Sequence, residues 1–338
     1  MQYLPFLEEN GFNITQQSLF DDKYLEAVYS KAAVSKFHLI NLFLKRLAVV
    51  LQSKKYDLIW IEYELIPYFP SWFEKLLTFL KIPYVVDYDD AIFHNYDLSN
   101  NKYIKRFFST KIDCVMENAS AVIVGNDYLF ERAKSAGATN IHLVPTVVER
   151  ERYNKKIENN STIINIGWIG SPSTQKYIID LASVFLKIAS KYAIKLTLIG
   201  TTDDVIDDLS NIDVTLFPWS EAKEAEYIES FDIGIMPLKD GPWEKGKCGY
   251  KLIQYMACSV PVIASPVGCN INIIDKNNCG LLADNSDDWE NTLITLIKDK
   301  QLRNEMGSAG RKAVDNQYSL QVQQIRLAEI FNAIIKDQ

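Results

Sequence analysis

The chain has 338 residues, 48% of them apolar and 23% charged, with a formal net charge of −7. That length and balance suit two globular domains of ordinary size and exclude a disordered or fibrous chain; no apolar run approaches the ~18 residues of a membrane-spanning helix. The acidic excess lies wholly in the second half, because residues 1–156 hold 19 basic and 19 acidic residues and the remainder 17 and 24. An acidic half of this kind argues against nucleic acid as the main partner.

The start, MQYLPFLEENG, has no basic stretch and no small-residue cleavage site, so it is not expected to act as a secretory signal. Cys114, Cys248, Cys258, Cys269 and Cys279 form no CxxC pair, which fits reduced thiols and a cytoplasmic location. Residues 2–10 read as a helix and Phe12–Gln16 as a strand. A Rossmann-type domain ordinarily opens on a strand and a tight glycine loop, so that first strand is expected to be missing. Apolar residues at three- and four-residue spacing predict a helix from Lys36 to Gln52. Short apolar runs at 58–62, 84–88, 121–125 and 141–145 predict strands separated by helices. Lys102, Lys105, Arg106 and Lys111, interleaved with Tyr103, Phe107 and Phe108, fit a solvated helix face, an anionic membrane surface or an anionic acceptor.

The polar stretch from Asn154 to Ser161 is the expected linker. A second series of strands follows at Ile163–Ile169, Leu196–Gly200, Val214–Phe217, Ile233–Met236, Val262–Ala264 and Gly280–Leu282, with helices at 290–299 and 320–336. Alternation of this kind is the signature of parallel α/β sheets. The expected domains are 1–156 and 157–318, with 319–338 as a closing helix.

In open α/β sheets, ligands bind beyond the carboxyl ends of the strands, so the strand-to-helix turns are where chemistry is expected. In IGWIGSPSTQK a strand ends at Gly170 and small residues lead toward a helix from about Ser173. Free N–H groups at such a start attract phosphate, and Lys176 adds a charge; an ordinary turn capped by Ser173 is the competing reading. In Asp240–Ala257, Gly246 and Gly249 expose backbone donors ahead of a helix. Lys251 and Gln254 share one face of that helix, which suits a diphosphate beside a ribose or, more plainly, a wet amphipathic stripe. Asp87, Asp89 and Asp90, followed by His94, crowd carboxylates at a strand end, which suits sugar hydroxyls, a reacting group, a metal or simply a solvated turn.

The segment GYKLIQYMACSVPVIASPVG resembles the signature of the family-4 retaining glycosyltransferases with the GT-B fold. IGWIGSPSTQKY, VVDYDDAIF, AVIVGNDYLFERA, LVPTVVERERY and LRNEMGSAGRKAV resemble one bacterial subgroup of it, in that subgroup's order, so that nearly the whole chain is covered. The resemblance implies two Rossmann-like domains facing a cleft, the last helix crossing back to the first domain. It implies a nucleotide-diphosphate sugar as co-substrate, held by the second domain, and a glycan or lipid-linked acceptor on the first. No cofactor or metal is implied, and the anomeric configuration is retained. Bacterial surface polysaccharide synthesis is the expected setting, in the cytoplasm or peripherally at the inner face of the membrane. By position, the resemblance has Gly170 and Ser171 meet the diphosphate through backbone N–H and Lys176 stand as the phosphate-binding lysine, while Cys248, Gly249 and Tyr250 fall in the loop whose amides face the donor, with Lys251 beside it. Gln254 stands for the glutamate that holds the ribose, and Asp89, Asp90 and His94 approach the donor sugar.

The chain departs from the family where Gly246 takes the place of the first glutamate of an E-x7-E pair, with Glu244 two residues away as its substitute. GSPSTQK also lacks the arginine that commonly precedes the phosphate lysine. These departures, with the missing strand, favour as the alternative a non-catalytic GT-B-like protein that binds a nucleotide or a partner. A nucleotide-sugar epimerase shares the fold; a Rossmann dehydrogenase is disfavoured because no GxGxxG follows a strand.

Overall fold

The computed structural model describes residues 2–30, 32–153 and 161–336. The expected linker therefore lies outside the described residues except for Ser161. The chain divides into two compact units, Met1–Val144 with Gln324–Gln338, and Pro145–Gln323.

The first unit is built on four parallel strands in sequential order, β1 (Ile59–Glu62), β2 (Tyr84–Tyr88), β3 (Ala121–Val124) and β4 (Ile141–Leu143). The central β3, AVIV, is buried at every position, as expected of a parallel strand covered on both faces. The helix Leu320–Lys336 places Leu327, Ile330, Phe331 and Ile334 at the spacing of one helical face. That stripe packs with Leu7, Val85, Ala121, Ile123 and Val144, so the chain does return to the first unit. At roughly 1.5–3 kcal/mol for each large side chain, the four contribute several kcal/mol to closing this core.

No strand forms at Phe12–Gln16. Phe12 and Ile14 are partly buried against the same core, but their backbone joins no ladder. The expected helix over 2–10 is the shorter Leu4–Glu9.

The second unit carries six parallel strands, β5 (Ile164–Ile169), β6 (Ile194–Ile199), β7 (Val214–Phe217), β8 (Ile233–Met236), β9 (Val262–Ala264) and β10 (Gly280–Leu282). Their order is β10-β9-β8-β5-β6-β7. Chain progression runs one way from β5 through β6 and the other way from β8, so the carboxyl ends of β5 and β8 form a topological switch point, where such sheets open a crevice. The helix Tyr250–Ala257 is pinned against those two strands by Tyr255, whose hydroxyl accepts from the Ile169 N–H at 3.0 Å and meets the Ile235 carbonyl at 3.3 Å. Gly234 makes room, because a Cβ there would lie 2.5 Å from the Tyr255 ring. Among the described residues, no helix is long and apolar enough to cross a membrane.

Candidate active site

The switch point of the second unit holds an ammonium without a counter-ion. Lys251, in the first turn of the helix Tyr250–Ala257, lays its Nζ 4.3 Å from the ring centroid of Trp168. It makes no ion pair among the described residues. Although the residue as a whole is only half-buried, its ammonium is desolvated by the surrounding chain and also faces Lys247, so its pKa falls to about 7. A desolvated cation held by an aromatic face alone is costly, and an arriving anion relieves that cost.

Trp168 is buried within β5, and its indole reaches under Gly170. A Cβ at Gly170 would stand 2.2 Å from that ring and 2.8 Å from the Lys251 Nζ. The missing Cβ thus leaves room for the Trp168–Lys251 pair. Trp168 had no role in the sequence reading, and only its place two residues before Gly170 could have suggested one.

The loop ahead of the helix is fixed by glycine and sulfur. Gly249 has φ +70°, a backbone conformation that favours glycine, and a Cβ on it would also push the end of the Ile273 side chain, 2.4 Å away. The Cys269 thiol donates to the Lys247 carbonyl at 3.0 Å and holds the loop from below. Cys248 is buried beside it, while Tyr250 stays exposed. The first hydrogen bond of the helix runs from the Ile253 N–H to the Gly249 carbonyl, which leaves the N–H groups of Gly249, Tyr250 and Lys251 without acceptors in the helix. Glu244, in the single turn Pro242–Lys245, accepts from the Tyr177 hydroxyl.

Gln254 lies on the same helix face as Lys251 but is only 2% exposed. Its amide donates to the Tyr153 hydroxyl at 3.1 Å, and that hydroxyl donates to Glu224 at 3.0 Å. Glu224 also accepts from the Trp219 indole N–H at 3.0 Å and pairs with Arg152 at 3.3 Å. Gln254 is thus committed to a buried network, and a ribose would have to be reached through its neighbours. Tyr153 and Glu224 escaped the sequence reading because they lie 101 and 30 positions from Gln254 in the chain.

The turn after β5 differs from expectation. Its helix starts at Lys176, not near Ser173, and is a single turn to Ile179. Ser171 to Thr174 fold into a hydroxyl-bonded turn in which the Ser171 N–H donates to the Thr174 Oγ1 at 3.1 Å. The Gly170 N–H donates to the Ile199 carbonyl at 2.9 Å. Both amides expected to face a diphosphate are therefore engaged, and Ser173 caps nothing. Lys176 is exposed, its Nζ 5.1 Å from the Tyr177 ring centroid.

In the first unit, Asp89 accepts from the Tyr63 hydroxyl, and Asp90 accepts from the Ala91 N–H at 3.2 Å. His94 has both ring nitrogens occupied, Nδ1 by Asp97 at 2.7 Å and Nε2 by the Tyr128 hydroxyl at 2.8 Å. Asp97 continues to Arg132 at 3.0 Å, and Arg132 to Asp113 at 2.6 Å. The neighbouring Asp87 is pushed up to about 7 by desolvation, then by the negative charges of Asp89 and Glu62. Lys111 leaves the expected basic cluster, since it is buried and held by Glu64 and the Ile66 carbonyl. Among the described residues, no group of three or more His, Cys, Asp or Glu side chains is placed to hold a metal ion.

The part of the chain that holds β5 to β10 and the lysine also matches a family model. Residues 161–299 match the family model described as glycosyl transferases group 1. The capsular polysaccharide biosynthesis glycosyltransferase CapM of Staphylococcus aureus is 26% identical over 197 residues, which cover 55% of this chain and 50% of CapM. The chain thus spans about half the length of that relative. A glycosyltransferase from Rickettsia africae superposes with a TM-score of 0.73 at 14% identity, covering 100% of this chain and 94% of that one. HepE of Anabaena, solved in complex with UDP-glucose, superposes with a TM-score of 0.64 at 15% identity, covering 85% of this chain and 82% of HepE. The fold is that of the GT-B glycosyltransferases, with two parallel α/β sheets.

Proposed function

We propose that this chain is a retaining glycosyltransferase that moves a sugar from a nucleotide-diphosphate donor to a glycan or lipid-linked acceptor in bacterial surface polysaccharide synthesis. One observation carries the reading: an uncompensated, desolvated ammonium, Lys251, sits at the switch point beside open amides of a helix start. The match of residues 161–299 to the glycosyl transferases group 1 family supports it, as does the capsular role in CapM's name.

In this reading the second unit binds the donor and the first binds the acceptor. Lys251 and the amides of Gly249 and Tyr250 take the diphosphate, and Cys248 shapes their loop. Lys176 adds charge from across the turn, and Gly170 and Ser171 line it. As the glycosidic bond breaks, negative charge grows on the leaving diphosphate, and these groups stabilise it without a metal or other cofactor. Positive charge grows on the sugar ring, and the acceptor attacks from the leaving-group face, its proton passing to a phosphate oxygen. Asp89 and Asp90 grip acceptor or sugar hydroxyls, His94 reaches one by exchanging its Nε2 bond to Tyr128, and Glu244 orients the donor through its loop. Gln254 supports the ribose pocket from behind. The cytoplasm is the compartment that supplies such donors.

The engaged amides of Gly170 and Ser171, and the commitment of Gln254 to Tyr153, favour a second reading, a non-catalytic protein that binds a nucleotide or a partner. Calorimetric titration with UDP, GDP, ADP and dTDP in the presence of EDTA tests both. Micromolar binding of one nucleotide, weakened in Lys251→Met, together with turnover of the matching sugar donor, supports transfer. Binding without turnover of any donor supports the second reading, and no binding refutes both. HepE's ligand makes UDP-glucose the first donor to try.

A further inference from the structure

We propose that the helix Lys102–Phe108 of the first unit docks this chain on an anionic lipid surface. The Asn101 side chain caps the helix, accepting from the Tyr103 N–H at 2.9 Å and the Ile104 N–H at 3.4 Å. Ile104 and Phe108 turn inward, Phe108 lying 6.2 Å from the Tyr96 ring. The opposite arc carries Lys102, Lys105 and Arg106 beside Tyr103 and Phe107, whose residues are 76% and 68% exposed. At 100° per residue, the two rings stand together on one edge of the arc and the three cations beside them.

The charge of this face is uncompensated. No acidic residue occurs between Asp97 and Asp113, and both of those are bound by Arg132. Lys102, Lys105 and Arg106 make no ion pair among the described residues. A face of charge +3 on a chain of net charge −7 stands against the overall balance. Tyr68 is a further exposed ring of this unit. It lies 5.3 Å from the Tyr96 ring, and its backbone is held at φ +55° with its N–H donating to the Tyr96 hydroxyl.

A soluble polyanion would satisfy the three cations but would leave the rings in water. The headgroup layer of an anionic bilayer takes both, the cations at the phosphates and the rings at the acyl boundary. This deepens the reading of a lipid-linked acceptor, because it brings the chain to where such acceptors lie. Docking is measured without donor or acceptor, so its failure and the failure of the transfer reading are separate results.

The test is co-sedimentation of the full chain with phosphatidylcholine vesicles, with and without phosphatidylglycerol, across a salt series. Binding to the anionic vesicles alone, weakening as salt rises, is expected. Each cation multiplies the partition by about fivefold, so a Lys102→Gln, Lys105→Gln, Arg106→Gln variant should lose roughly a hundredfold. A Tyr103→Ser, Phe107→Ser variant should lose at least about tenfold with its salt dependence kept. All five side chains are exposed, so an unchanged Tm verifies the fold of each variant, and single substitutions replace any variant that melts early. The proposal is overturned if anionic vesicles are not bound, or if the charge variant binds them undiminished. It is equally overturned if soluble hyaluronate is bound as strongly as vesicles, with no dependence on Tyr103 and Phe107.

Discussion

Replacing Lys251 by methionine keeps most of the side-chain volume and removes the ammonium, and its effect on stability should depend on pH in a definite direction. In the unfolded chain this lysine titrates near 10.5, and in the folded chain at about 7. Below pH 7 both states are protonated, and the folded state bears the full cost of the desolvated charge. Between pH 7 and 10.5 the unfolded chain binds the proton more tightly than the folded one, so stability rises with pH across that window. At 1.36 kcal/mol per unit, the ceiling is about 5 kcal/mol, and the part-open surface of the residue lowers it to about 2–3 kcal/mol. Lys251→Met should therefore be more stable than the parent by about 2–3 kcal/mol at pH 6, the gain shrinking toward nothing by pH 10. Urea melts at pH 6, 7.5 and 9 measure this directly. The same substitution should weaken nucleoside diphosphate binding by about 10- to 100-fold, the worth of one charge-assisted hydrogen bond. At pH 8 the parent should take up close to one proton on binding, seen as heats that differ between phosphate and Tris buffers. A variant that is less stable than the parent at pH 6, with unchanged nucleotide affinity, would refute the reasoning.

Gly249→Ala should cost about 1–3 kcal/mol in urea unfolding, since it places a side chain on a left-handed backbone. Tyr153→Phe leaves the Gln254 amide without its acceptor while Glu224 keeps Arg152 and Trp219, and should cost about 1–3 kcal/mol, measured by thermal melts. Asp87, raised to about 7 in the folded chain from 3.8, makes stability fall as pH rises from about 4 to 7. Asp87→Asn should flatten that slope and gain up to about 4 kcal/mol at pH 8, read from urea midpoints. Phe331→Ala should destabilise by about 3–5 kcal/mol through the cavity left against the first sheet, again read from urea midpoints.

The strands were legible because parallel strands buried on both faces leave short continuous apolar runs, and β7 to β10 fall where those runs stand. Phe12–Gln16 misled because alternation reports burial, whereas a ladder needs a partner strand that local pattern does not reveal. The start at Ser173 misled because small hydroxyl residues serve turns and helix caps equally well. In the site, the glycine loop and Lys251 were readable from order and spacing. Their environment was not, since the Trp168 ring, the Tyr153–Glu224 link and the burial of Lys111 by Glu64 join residues far apart in the chain. The spacing of Lys251 and Gln254 placed both on one helix face, but gave no sign that one meets an aromatic ring and the other a buried tyrosine.

The return of residues 324–336 to the first unit sets an order of events during synthesis. The strands of that unit emerge from the ribosome early, yet Leu7, Val85, Ala121 and Val144 stay uncovered until residues 327–334 arrive. All of β5 to β10 lies between, so the second unit can close while the first still waits for its last layer. A nascent chain arrested before residue 324 should thus expose an apolar sheet face to chaperones, whereas one arrested at residue 30 should not.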